Sequence, residues 1–234
     1  FTSPAGRNWW SQWHRRLFDA GVAGVWNDMN EPADFTGNEL LRRDFTVPDD
    51  LIADNRGQPT AFGRVHNAYG NEMNRATRDA FSSLLPNERG FVLTRAGYAG
   101  IQRYAAVWTG DNHSWWEHLQ LSLPMFLGMG LSGVSFVGAD VGGFQRNATH
   151  DLYARWVATA AFTPYFRGHT EFGTRRHEPW SFGPTVETIA RRYIQLRYRL
   201  LPYLYTLFEE SSRVGHPVMR PMVLEAPDDP AVRE

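Results

Sequence analysis

Short apolar runs that break off into acids recur along this chain. Ala20-Gly21-Val22-Ala23-Gly24-Val25-Trp26 carries no charge and gives way at once to Asn27-Asp28-Met29-Asn30-Glu31-Pro32. The run has the length of a buried strand, and helix-like sequence flanks it, as in a βα unit. Val107-Trp108-Thr109-Gly110-Asp111-Asn112 repeats the pattern, and Gly133 to Phe144, containing Asp140, repeats it again. Gly90 to Arg95 is a further strand that ends in a cation. Pro164 to Thr170 is a short strand or extended segment ending in Arg167, His169 and Thr170.

Helical spacing fills the intervals. Asn8 to Ala20 places Trp9, Trp13 and Leu17 at i, i+4, i+8, with Trp10 and Phe18 beside them, which predicts an amphipathic helix. Val65 to Leu85 and Asp151 to Phe162 read as helices. Ser114-Trp115-Trp116-Glu117 matches a capping box, which makes Glu117 and His118 capping and surface residues, and opens a helix to Leu127 kinked at Pro124. Thr185 to Glu210 is a long helix with Ile189, Tyr193, Leu196, Leu200 and Tyr203 on one face, interrupted by Pro202. Thr36 to Pro59 is a polar loop with a turn at Asp54-Asn55-Arg56-Gly57. His216 to Leu224 reads as the first strand of a different, β-rich unit.

About five strand–helix repeats suit either a doubly wound sheet or part of a (β/α)8 barrel, which needs eight over ~250 residues. Acids stand at most strand ends, and no glycine-rich phosphate loop follows the first strand. The expected fold is therefore α/β: a partial TIM barrel of about strands 4 to 8 over residues 1–213. Residues 214–234 are expected to begin a C-terminal β-sandwich domain. Polar groups at the carboxyl ends of such strands face the ligand crevice, so Asp28, Asp111 and Asp140 would point to one mouth. A plain turn of Asn, Asp and Pro is the competing reading of residues 27–32.

Composition narrows the partners. The net charge of −1 gives no reason to expect nucleic acid or an anionic membrane. No run approaches the ~18 apolar residues of a membrane span. With no Cys there is no disulfide framework and no thiolate metal site. Absence of Cys does not fix the compartment, but together with the lack of a signal in this stretch it favours the cytoplasm. Nine Trp and an aromatic share of 14% suit sugar stacking, though aromatics also fill cores. The chain begins at Phe1 without Met and reads as a piece of a longer protein.

Two carboxylates at one mouth are the minimum kit for glycoside hydrolysis, ~5–5.5 Å apart in a retaining enzyme. One must stay ionised beside cations or donors, and the other must hold its proton in a more apolar setting. Arg95 or Arg167 could serve the first, and Trp108 beside Asp111 the second. The eight His raise a metal site as a competitor, but no His-Glu-x-x-His element and no tight ligand cluster occurs. His113 and His118, at i, i+5, do not share a helix face. No metal and no cofactor are expected. Asn112-His113-Ser114 and Asn147-Ala148-Thr149 fit the glycosylation pattern, which arises easily by chance; a glycan at the first would block Asp111.

Five motifs in order carry a resemblance: Trp26 to Pro32, Thr94-Arg95-Ala96-Gly97, Trp108 to Asn112, Gly138 to Phe144, and Phe166-Arg167-Gly168-His169-Thr170 with Glu178-Pro179-Trp180. Over essentially its whole length the chain resembles glycoside hydrolase family 31, the α-glucosidase family. The resemblance implies a retaining exo-α-glucosidase acting on terminal, non-reducing α-linked glucose of oligosaccharides. Asp28 would be the nucleophile at the end of the fourth barrel strand, Asp111 the acid/base at the end of the sixth, and Glu31 a partner beside the nucleophile. Arg95, Asp140 and His169 would grip sugar hydroxyls. Trp26, Met29, Trp108 and Phe144 would form apolar walls, with Phe35 a further candidate, and Arg167 would support His169 or a carboxylate. The Asp-Met-Asn-Glu-Pro form resembles the α-glucosidase branch more than the α-xylosidase branch. An α-xylosidase, an α-transglucosidase and a non-catalytic sugar-binding relative are the alternatives, and the last should have lost Asp28 or Asp111. Family members also have an N-terminal β-sandwich and barrel strands one to three, with a further sugar-binding Asp. Without them, this stretch alone is expected to be inactive and to associate through uncovered edges and faces.

Overall fold

The computed structural model describes residues 1–34 and 46–232. Their coordinates form two compact units, Phe1–Val107 and Trp108–Glu234.

In the first unit, helix α1 (Pro4–Trp13) starts earlier than the apolar spacing alone suggests. Ser3 is its N-cap and accepts a hydrogen bond from the Gly6 N–H at 3.1 Å, and Pro4 occupies the first turn, where its missing N–H costs nothing. A short helix, α2 (Arg15–Asp19), follows. The apolar stripe points outward: Trp9, Trp13 and Leu17 are 59, 48 and 45% exposed, while Arg7, His14 and Phe18 are buried. Periodicity identifies an apolar stripe but not what lies against it.

Strand β1 (Gly24–Asn27) is shorter than its apolar run. The polar segment after it contains a hairpin rather than only a loop: β2 (Ile52–Asn55) pairs antiparallel with β3 (Gln58–Ala61). Arg56 and Gly57 form its tip, both at positive φ, and the Asp54 carboxylate accepts from the Gly57 N–H at 2.6 Å. The turn was legible, but the four-residue strands lacked an apolar pattern. Helix α3 (His66–Leu84), β4 (Phe91–Thr94) and β5 (Ala106–Trp108) complete the succession. β1 and β4 run parallel, with Asn27 opposite Thr94, and β4 and β5 run parallel, with Thr94 opposite Val107. Phe18, Ala80, Phe81 and Val92 form the buried cluster between these helices and the sheet.

The second unit continues from β5 through α4 (Trp116–Leu131) to β6 (Val137–Gly138), then α5 (His150–Ala160) and α6 (Gly183–Val214). The Thr109 N–H donates to the Gly138 carbonyl at 3.0 Å, which ties the exit of β5 to β6. The predicted capping box does not form. Trp115 is the N-cap, because the Ser114 N–H is drawn to the Gln145 carbonyl at 2.9 Å and the box falls out of register by one residue. In segment 164–170 the Tyr165 N–H donates to the Val137 carbonyl of β6 at 3.2 Å, and Arg167 forms an isolated parallel bridge with Asp140, just past β6.

Pro202 does not interrupt α6, which runs unbroken through 32 residues. An interior proline costs about 3 kcal/mol, and packing on both sides of it offsets that cost: Val186 and Ala190 are buried in a cluster with α5, and beyond Pro202 Leu204 is buried and the Phe208 ring lies 4.5 Å from that of Phe136. Residues 216–224 contain no strand; Met222–Glu225 is a short helix, α7. Pro217 and Pro221 each remove a ladder donor from that segment. Among the described residues no helix is long and apolar enough to cross a membrane.

Candidate functional site

Each unit carries part of the predicted site. In the first, Asp28 is the residue after β1 and Arg95 the residue after β4. The parallel register that sets Asn27 opposite Thr94 therefore brings them side by side, and the Arg95 N–H donates to the Asn27 carbonyl at 3.2 Å. The Arg95 guanidinium grips Glu31 with two nitrogens, Nε to Oε1 at 2.8 Å and Nη2 to Oε2 at 3.0 Å. Its third nitrogen stands 3.4 Å from Asp28 Oδ1. Such a fork is charge-assisted and fixes orientation as well as energy.

Met29 has φ 55°, an uncommon conformation for a non-glycine residue, and its N–H donates to Asp28 Oδ1 at 2.8 Å. Asp28, Trp26 and Met29 are exposed. A cavity of about 570 Å³ opens beside them, lined by Trp10, Trp13, Leu17, Val25, Trp26 and Asp28. An exposed carboxylate beside such a cavity can be reached, as a nucleophile must. Phe35 lies outside the described residues.

Beneath this surface lie Asn27, Asn30, Asn74, Thr77 and Thr94, all buried and hydrogen-bonded to one another. The sequence reading gave none of these five a role. Asn27, Thr94, Asn74 and Thr77 are amide and hydroxyl side chains on the inner side of a strand or helix, and Asn30 lies in the turn after β1.

In the second unit, Asp111 is exposed at the end of a loop that Asn112 ties down. The Asn112 side chain donates to the Asp140 carbonyl at 3.1 Å and accepts from the Phe144 N–H at 3.0 Å. Gly143 lets the two loops meet. It has φ +91°, and a Cβ there would stand 2.4 Å from the Ser114 nitrogen. His113 and His118 come together after all, through the loop rather than a helix face, with His118 Nδ1 accepting the His113 N–H at 2.8 Å.

Asp140 is fully buried, and Arg167 holds its Oδ1 from Nε at 3.1 Å. The same guanidinium lies 5.1 Å from the Trp108 ring and 5.6 Å from that of Tyr165. Burial pushes the Tyr165 phenol up to about 12, with Arg167 opposing. Of the two supports expected of Arg167, the one to a carboxylate is present, to Asp140. Trp108, expected as an apolar wall, is 2% exposed and forms a floor under Arg167. His169 stacks on Phe144, ring centroids 5.0 Å apart.

Arg197, from α6, is a further residue that the sequence reading missed. It donates to the carbonyls of Ala161, Thr163 and Pro164 and so fixes the entry to segment 164–170. One Arg in a long helix gives no sequence signal of such a role. Among the described residues no group of three His, Asp or Glu could hold a metal ion.

Residues 1–207 match the Glycosyl hydrolases family 31 TIM-barrel domain. The chain is 53% identical over 229 residues to Alpha-glucosidase 2 of Bacillus thermoamyloliquefaciens, covering 98% of this chain and 28% of that protein. It is 45% identical over 231 residues to a probable glucan 1,3-alpha-glucosidase of Oryza sativa subsp. japonica, covering 97% and 24%. Its structure superposes on the crystal structure of a glucosidase II alpha subunit with a TM-score of 0.88 at 40% identity, over 97% of this chain and 24% of that one. The chain thus spans about a quarter of the length of these relatives.

Proposed function

This chain belongs to glycosyl hydrolases family 31, and from that premise we propose that it supplies the catalytic carboxylates of a retaining exo-α-glucosidase. Asp28 attacks the anomeric carbon as the glycosidic bond breaks, and Asp111 gives its proton to the departing oxygen. The glycosyl ester formed on Asp28 is then displaced by water, which Asp111 deprotonates, and α-glucose leaves. The reading requires the two carboxyl groups to meet across one glycosidic oxygen at ~5–5.5 Å. The observation that carries it is the clamp of Arg95 on Glu31 beside Asp28 at adjacent strand ends.

In this reading Trp26, Met29 and Phe144 wall the sugar, and His169 grips its hydroxyls. Arg95 and Asp140, also expected to grip hydroxyls, act at least as much through Glu31 and Arg167. Residues 1–213 correspond to about strands 4 to 8 of the barrel, and 214–234 begin the C-terminal β-domain. The end of α6 at Val214, closed by Gly215 at φ +79°, supports the boundary. The substrate class is α-glucoside oligosaccharides, as the names of the relatives suggest. A substrate panel with product chromatography separates hydrolysis of α-glucosides from α-xylosidase or transglucosidase activity.

The test is made in the full-length protein. Asp28→Ala is expected to lower kcat on an aryl α-glucoside by at least about 10⁴-fold, the scale seen when a nucleophile is removed. Asp111→Ala is expected to lower kcat/KM about 10²–10⁴-fold on a natural oligosaccharide and far less on an aryl glucoside whose leaving group needs no proton, while kcat falls on both because hydrolysis of the glycosyl ester loses its base. An Asp28→Ala enzyme within tenfold of wild type would refute the assignment.

A further inference from the structure

We infer that Asn30 is a positioning residue: its buried amide holds both chain neighbours of Arg95 and thereby aims the Arg95 guanidinium at Glu31 and Asp28. The inference rests on the reading of Asp28 as nucleophile. Asn30 Nδ2 donates to Thr94 Oγ1 at 2.9 Å, and Asn30 Oδ1 accepts from the Ala96 N–H at 3.0 Å. Thr94 and Ala96 flank Arg95, so one planar amide brackets it from both sides. The same amide belongs to the residue between Met29 and Glu31, so it also anchors the loop that carries both carboxylates.

The Thr94 hydroxyl is the hub. It accepts from Asn30 Nδ2 and from Asn74 Nδ2 at 2.8 Å, and it donates to the Ala96 carbonyl at 2.8 Å. That uses its single hydrogen and both of its acceptor sites. Asn74 in turn accepts from Asn27 Nδ2 at 2.9 Å, which ties in the residue before Asp28. The network therefore touches positions 27, 30, 94 and 96, which flank the three charged groups, while Asn27, Asn30, Asn74 and Thr94 are each at most 2% exposed. They act through backbone placement rather than by touching a substrate. A fully satisfied buried network is stiff, and a two-pronged fork tolerates little displacement of its base.

A network that only stabilised the fold would respond alike wherever it was cut. Thr77 joins the network through Asn27 rather than through the chain neighbours of Arg95, accepting from Asn27 Nδ2 at 3.0 Å and from Trp10 Nε1 at 3.0 Å. In the full-length protein, activity is normalised to folded enzyme by near-ultraviolet circular dichroism. Asn30→Ala is expected to lower kcat about 100-fold and Thr94→Val about tenfold, with KM within about threefold, the split that marks loss of transition-state positioning. Thr77→Val is expected to lower Tm with kcat within about threefold.

A crystal structure of Asn30→Ala is expected to show Arg95 withdrawn from Glu31. Should Asn30→Ala fail to fold, Thr94→Val, which removes one oxygen without changing shape, carries both measurements. Equal kcat losses at Thr77 and Thr94, or an Arg95–Glu31 fork unchanged in the crystal, would overturn the inference. A wild-type enzyme inactive on α-glucosides would instead overturn the proposed function and leave the crystallographic result to decide the role of Asn30.

Discussion

Arg95 bonds Glu31 through two nitrogens, at 2.8 and 3.0 Å, and reaches Asp28 with the third at 3.4 Å. One cation is thus shared unequally between two carboxylates three residues apart. Glu31 takes the fork and Asp28 takes the residual field. Without Glu31 the guanidinium would be drawn onto Asp28, against the nucleophilic role proposed for it.

Glu31→Gln keeps the shape and removes one charge from this arrangement. The expected result is a fall in kcat/KM of about 10–100-fold, the cost of weakening a partly buried charge pair by ~1.4–2.8 kcal/mol. Steady-state kinetics on an aryl α-glucoside checks it. Unchanged kinetics would mean that Arg95 holds its place without Glu31.

Gly143→Ala tests the loop that carries Asp111. At φ +91° an added Cβ is strained wherever it points, and here it would stand 2.4 Å from the Ser114 backbone nitrogen. About 2 kcal/mol or more of stability should be lost. Because Ser114 follows Asp111 by three residues, kcat on natural oligosaccharides should fall with it. A variant with native Tm and native kcat would show that the two loops can separate freely.

His177 sets a pH dependence of stability. It is buried, its Nδ1 lies 3.1 Å from the Val141 carbonyl, and its Nε2 has no hydrogen-bond partner among the described residues. Burial pushes its pKa below the usual value, with the Val141 carbonyl opposing. The unfolded chain, where His titrates near ~6.5, therefore binds the proton more readily. The stability this group contributes is whole above ~6.5 and is lost as pH falls from there toward the folded-state value. Burial lowers His14 in the same sense. Thermal melts between about pH 7.5 and 5 should show Tm falling on the acid side, and His177→Gln should reduce that slope. An identical slope in the variant would exclude His177 as a source.

The 234-residue chain by itself should self-associate and show no turnover. Trp9, Trp13 and Leu17 form an exposed stripe, and among the described residues β1 has only β4 as a strand neighbour. Exposed apolar faces and strand edges of this kind seek partners. Light scattering and an aryl α-glucoside assay on the purified chain test both points. A monomer that hydrolyses the glucoside would overturn the prediction.

The sequence by itself determined where the strands end and which chemistry stands there. Alternating apolar runs and abrupt acids are local signals, so Asp28, Arg95, Asp111 and Asp140 could be read as strand-end residues, and five motifs in order named the family. Partnership is not local, and the tertiary structure decided it. That Arg95 grips Glu31, that Arg167 holds Asp140, and that Arg197 and Asn30 fix segments more than thirty residues away follows from parallel strand register and helix packing. The same limit explains the reversals. Periodicity marked the Trp9–Trp13–Leu17 stripe but not its exposure, and local propensity marked an interruption at Pro202 in a helix that runs unbroken to Val214. Hydrogen bonds and buried faces are satisfied by whatever the fold brings near, and sequence spacing does not measure that distance.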